Sequence, residues 1–261
     1  MKRLAALLFS LLALAGCASS GPAPGPSGGA SAGASGTTGE TLTVFAAASL
    51  KGAFTKIGLS FEGERPGVKV AFNFDGSSAL VDQLAAGAPA DVLATADEKN
   101  MTRAVDAKVV SGTPRVFATN VLTLVVPAGN PARITGLDAS LAGKKLVICA
   151  VGVPCGNATE TLAKNLGATL KPVSTEQKVT DVLGKVTSGE ADAGIVYTTD
   201  AAAAGDKVQA VAIPGSEKVV NRYPVAATAA AKDAGLAAAF ADYVTGEQGR
   251  AVLAEFGFGA P

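Results

Sequence analysis

The chain has 261 residues, 48% of them hydrophobic, enough to bury one large core or two small ones. Its 22 basic residues balance 22 acidic ones, which excludes a global field drawing it to nucleic acid or anionic lipid. Histidine is absent, so a serine nucleophile has no histidine base, and three cysteines alone do not make a zinc site.

Lys2 and Arg3 precede an apolar run, Leu4 to Leu14, that is too short to span a bilayer. Residues 1–16 read as a signal peptide, and Leu14-Ala15-Gly16-Cys17 resembles a bacterial lipobox in which Cys17 is lipidated. An ordinary signal peptide followed by a stray cysteine is the alternative. Residues 17–40 read as a lipid anchor and flexible tether, because Gly, Ser, Ala and Pro offer nothing to offset the entropy of ordering. A coil of that length reaches about 25–29 Å. The expected location is therefore extracytoplasmic, held at the cell membrane through Cys17 and not inserted in it.

From Thr41 onward, short apolar runs alternate with helical patterns. Thr41–Ala46 predicts a strand, and Leu50–Glu62 a helix with Leu50, Phe54, Ile57 and Phe61 on one face. Strand Val68–Phe74, helix Ser78–Ala86, a strand and loop over 90–97 and helix Glu98–Asp106 follow. Val121–Val126 reads as a strand ended by Pro127, then strand Lys145–Ala150 and helices Asn157–Leu166 and Val179–Ser188. Strands Ala193–Tyr197, Val208–Ile213 and Tyr223–Ala229 precede closing helices near Asp233–Val244 and Glu247–Phe256. The alternation predicts an α/β fold with mostly parallel sheets flanked by helices.

Ligands of such sheets bind beyond the carboxyl ends of the strands, so the residues at strand-to-helix turns matter most. Ser49 in "AAASL", Gly76-Ser77-Ser78 in "NFDGSSAL", Val153-Pro154-Cys155-Gly156 in "CAVGVPCGNA" and Ser174-Thr175 in "STEQKVTDVL" each stand there. Tyr197 ends an apolar strand in "GIVYTTDA". Taken singly, a serine before a helix is most simply an N-cap, and a tyrosine at a strand end is packing. Taken together, several helix N-termini with hydroxyl and N–H donors make an anion site that needs no cation.

"VFAAASL", "GAPADV", "VPCG", "GIVYTTDA", "YPVA" and the final "GFG" resemble, in order and spacing, the molybdate-binding proteins of ABC importers. The resemblance covers nearly the whole chain after the tether. It implies a two-lobed type II periplasmic-binding fold with two crossovers, closing on molybdate or tungstate without a cofactor or resident metal. Residues 41–120 plus 212–261 would form lobe 1, and residues 121–211 lobe 2. By the same resemblance Ser49 and Ser77 supply hydroxyl groups, Cys155 and Val179 backbone N–H groups, and Tyr197 a phenol over the ligand. Cys155 stands where the family usually has alanine, which leaves the amide donor intact, and Gly76 leaves a slip from Ser77 to Ser78 open. The implied partners are a small inorganic oxyanion and the membrane permease of the importer, with no nucleic acid, and a monomer is expected.

Two alternatives carry different expectations. Cys155, following a proline at a helix start, has the setting of an activated thiol, but no histidine pairs with it. Asp91 and Asp97 read as cap or loop residues and not as a catalytic carboxylate pair. Sulfate has the charge and shape of molybdate and differs mainly in size, so another tetrahedral oxyanion is the competing ligand; none of Arg65, Arg103, Arg115 or Arg133 falls in these turns. With Cys17 lipidated, Cys149 and Cys155 are the remaining thiols of an exported domain and are expected to form a disulfide. Two reduced cysteines, with Cys149 turned into the core, are the alternative.

Overall fold

A computed structural model describes residues 39–261; the proposed signal peptide, Cys17 and nearly all of the tether lie outside the described residues. The elements are β1 (Glu40–Ala47), α1 (Lys51–Glu64), β2 (Val68–Asp75), α2 (Ser77–Ala85), β3 (Val92–Ala94), α3 (Glu98–Asp106) and β4 (Val110–Asn120). Then come β5 (Leu122–Pro127), β6 (Leu146–Cys149), α4 (Pro154–Leu166), β7 (Ser174–Glu176), α5 (Val179–Thr187), β8 (Ala193–Tyr197), α6 (Thr198–Ala204) and β9 (Val208–Val211). Strand β10 (Asn221–Thr228) and helices α7 (Ala234–Thr245) and α8 (Glu247–Glu255) complete the chain.

The strands form two five-stranded sheets, in the orders β2-β1-β3-β10-β4 and β7-β6-β8-β5-β9. Each is mixed on the same plan. Three strands run parallel, and β10 in the first sheet and β5 in the second run antiparallel to both neighbours. In both cases the reversed strand is the one that enters from the other sheet. Parallel strands need long covered connections, whereas the entering strand is free to pair in reverse. The chain passes between sheets twice, at Asn120–Val121 and between Val211 and Asn221. Ile213 and Val219 pack into the second core, so the second passage returns late, at Asn221.

The first core takes its volume from Phe54, Phe61, Phe117, Phe240 and Tyr223, and the second from Leu, Val and Ile around β5, β6 and β8. Strand β4 was not anticipated from the sequence, because Gly112 and Pro114 interrupt its pattern. It lies at the edge of its sheet, where a proline removes no ladder bond that the core requires. Ser174–Glu176 likewise forms a short edge strand against β6 instead of opening a helix, and α5 begins at Val179. Helix α4 starts earlier than the periodicity implied, with Pro154 in its first turn, and ends at Gly167 in the left-handed region (φ 61°).

Candidate anion-binding site

The apolar strand β1 delivers Ala47 to a short 3-10 turn, Ala48–Leu50, that runs straight into α1 and carries Ser49. Ser77 is the first residue of α2, Cys155 the second of α4, and Val179 the first of α5. The opening N–H groups of a helix have no intrahelical partner, so these turns converge with donors outward. A small cavity collects them: Ala47, Ala48, Ser49, Asp75, Gly76, Ser77, Ala96, Val153, Pro154, Cys155, Lys178, Val179 and Tyr197 line it. All five residues expected at the site are therefore together, drawn from both sheets. Ser78 is not among the lining residues, and Ser174 is engaged elsewhere, donating to Glu176 at 2.5 Å.

The cavity measures about 10 Å³ to the centre of a water-sized sphere, which is room for roughly one small species. The two halves press together around it. Gly76 lies so near the Gln177 carbonyl that a Cβ would come within 2.1 Å of its oxygen. Asn157 donates to Asp97 Oδ2 at 3.1 Å, and Asn100 donates to the Gly152 carbonyl at 3.2 Å, closing one rim.

Both serine hydroxyls are held from behind. The Ala96 N–H donates to Ser77 Oγ at 3.0 Å, which leaves the Ser77 proton for the cavity. Ser49 Oγ lies 3.1 Å from the Tyr223 hydroxyl. Tyr197 is 1% exposed, and its hydroxyl is buried without a hydrogen-bond partner in the protein. A buried phenol usually has a partner, so this hydroxyl at the cavity wall is free to take one. Burial holds this phenol well above its ordinary pKa, so it is a neutral donor. Its backbone N–H donates to Asp200 at 3.1 Å, and burial raises that carboxyl to about 7.

Lys178 is the one cationic side chain in the lining, and Asp75, also in the lining, faces it at 3.7 Å. The sequence does not single out this pair, although Lys178 adjoins Val179 and Asp75 stands two residues before Ser77. The lining thus carries no net charge, and the remaining donors are neutral. Cys149 and Cys155 form a disulfide with Cα atoms 5.7 Å apart, so Cys155 is not a free thiol. Asp97 caps α3 through the Asn100 N–H, and Asp91 accepts from the Thr43 and Lys232 N–H groups; both are structural carboxylates.

Two helix-flanked mixed sheets sharing a donor-lined cleft define a solute-binding protein. Residues 42–259 match the family described as bacterial extracellular solute-binding protein, and the chain belongs to that family; it is a binding protein and not an enzyme. Over 249 residues it is 42% identical to the molybdate-binding protein ModA of Mycobacterium tuberculosis strain H37Rv, covering 95% of this chain and 93% of that protein. The fold is shared with the periplasmic molybdate-binding protein of Azotobacter vinelandii (TM-score 0.74, 21% identity, 84% of this chain and 99% of that one). It is shared also with the sulfate-binding protein SubI of M. tuberculosis (TM-score 0.70, 24% identity, 84% and 86%).

Proposed function

We propose that the chain is an extracytoplasmic lipoprotein that captures molybdate, and tungstate with it, and delivers the anion to the permease of an ABC importer. The observation that carries the reading is the convergence of Ser49, Ser77, Cys155, Val179 and the unpartnered Tyr197 hydroxyl on one small cavity without net charge. Two serine hydroxyls, two helix-start amides and a phenol suit a compact dianion whose charge is met by N–H and O–H dipoles. The identity to ModA supports molybdate over sulfate, because the fold itself serves both anions.

In this reading residues 41–120 plus 212–261 act as lobe 1 and 121–211 as lobe 2, hinged at the two passages between sheets. Each lobe supplies part of the donor set, so ligand draws them together. Lipidation of Cys17 tethers a monomeric domain to the membrane beside its permease.

Isothermal titration of the mature domain with molybdate, tungstate, sulfate and phosphate tests the assignment. Molybdate and tungstate should bind far more tightly than the other two. Equal affinity for sulfate and molybdate would remove the molybdate assignment and leave the fold untouched.

A further inference from the structure

Beyond the five expected site residues, a chain of buried polar groups leads from Ser49 to the first passage between the sheets. Asn120 sits on that passage, 5% exposed. The Val121 N–H donates to Asn120 Oδ1 at 3.0 Å, and Thr198 Oγ1 donates to the same oxygen at 2.9 Å. A backbone N–H only donates, so the amide orientation is fixed: Oδ1 faces Val121, and Nδ2 faces the other way. Nδ2 then donates to Thr199 Oγ1 at 2.8 Å and, at 3.5 Å, to the hydroxyl of Tyr223.

Tyr223 is completely buried, and burial keeps its phenol protonated far above the ordinary range. With an N–H pointing at its oxygen from Asn120, its own proton is available to Ser49 Oγ, 3.1 Å away. Ser49 Oγ is thereby an acceptor on its protein side, and its single proton is left for the cavity. Ser77 reaches the same condition more simply, by accepting from the Ala96 N–H. The two serines are matched donors, one polarised by a backbone amide and the other by a phenol.

We infer that Tyr223, held by Asn120, is a positioning residue that donates to Ser49 Oγ and so turns the Ser49 proton into the cavity, toward a ligand oxygen. The inference rests on the proposed site and adds to it the group that orients one of its hydroxyl donors.

A double-mutant cycle on the mature domain reads this directly, with molybdate as titrant and apo melting temperature alongside. Tyr223→Phe keeps the ring, and with it the edge-to-face packing on Tyr197, Phe117 and Phe258. It should weaken molybdate binding about three- to tenfold, the range of one neutral hydrogen bond. In a Ser49→Ala background the same substitution should change molybdate affinity less than about twofold, because the two act as a unit. Wild-type affinity in Tyr223→Phe overturns the inference, as does an equal loss in both backgrounds, which would mean that the phenol acts through packing. Wild-type affinity in Ser49→Ala overturns the site reading itself, and is distinguished by that single variant.

Discussion

The two halves of the molecule meet one anion site with different materials. Every phenylalanine among the described residues lies in 45–117 or 240–258, and between Ala118 and Arg222 the one aromatic side chain is Tyr197. The first core is an edge-to-face aromatic stack, with Phe61 and Phe240 rings 5.1 Å apart and Phe61 and Tyr243 5.4 Å apart. The second is aliphatic and braced by the disulfide. Their donors differ in the same way. The first half offers hydroxyl groups, which rotate and must be oriented, and each serine has a donor behind it for that purpose. The second half offers backbone N–H groups, whose direction comes with the helix, and one hydroxyl, that of Tyr197 at the end of β8. Side-chain changes should therefore damage the site at the two serines and Tyr197, and backbone changes at the helix starts of the second half.

The largest expected effect separates the halves by pH. Asp200 belongs to the second half, is 6% exposed, and burial raises its carboxyl from 3.8 to about 7. The folded state keeps this proton up to about pH 7, whereas the unfolded chain gives it up near 4. Stability therefore rises as pH falls from about 7 to about 4, by on the order of 4 kcal/mol. Glu62 and Glu176 work in the opposite sense, held low by hydrogen bonds from the Val70 N–H and from Lys185, but only below the ordinary value of 4.5. Asp200→Asn should flatten the slope between these limits in urea titrations at several pH values. A slope identical to wild type would remove Asp200 as its source.

Next in size is closure itself. Gly76→Ala puts a Cβ 2.1 Å from the Gln177 carbonyl oxygen, on backbone that cannot swing aside. Since Gly76 has an ordinary extended conformation (φ −60°), each half should still fold. Overpacking of this kind costs about 3 kcal/mol at its upper end, so ligand affinity should drop more than a hundredfold while apo melting barely moves. Small-angle scattering would show no compaction on adding molybdate. Ser49→Ala and Ser77→Ala come after it, each expected to cost about 1.5–3 kcal/mol of binding, as for hydrogen bonds to a charged group. Tyr197→Phe removes the orphan hydroxyl but keeps the ring, and should cost about 1.5 kcal/mol of binding without loss of apo stability. A large fall in apo melting with unchanged affinity would make Tyr197 a packing residue.

Much of this was readable in advance. Apolar runs ending in small or hydroxyl residues marked β1, β2 and β6 and the helices after them, because a buried parallel strand and a helix start both leave local signatures. Ser49, Ser77, Cys155, Val179 and Tyr197 were named from those turns and from the family pattern, and the structure brings them to one cavity. What escaped was non-local. Strand β4 hides behind Gly112 and Pro114 because its edge position tolerates them. The Asp75–Lys178 pair spans the cleft between residues about a hundred positions apart. Tyr223 was visible only as part of "YPVA", and its contact with Ser49 joins β10 to β1 across 174 residues. No periodicity encodes such a pairing; it appears only once the sheet order is known.

The smallest expected effect is the sharpest test of the contrast. Cys155 lines the cavity, and its sulfur is tied back to Cys149 at the end of β6. The link closes a loop that is already tight: a Cβ on Gly156 would meet the Ala150 carbonyl oxygen at 1.8 Å, so strand end and helix start are pressed together with or without the bond. Replacing both cysteines by alanine leaves the Cys155 N–H in place and restores the residue that the family pattern has there. Removing so short a loop closure should lower stability by about 2 kcal/mol in the chain-entropy view. Binding should change far less, under about 0.5 kcal/mol, because Pro154 and the helix geometry still aim the amide. Titration of the double variant against wild type reads both quantities on one preparation. A loss of binding as large as that of Ser49→Ala would mean that the second half also depends on its side chains to orient its donors, and the distinction between rotating hydroxyls and helix-fixed amides would fall.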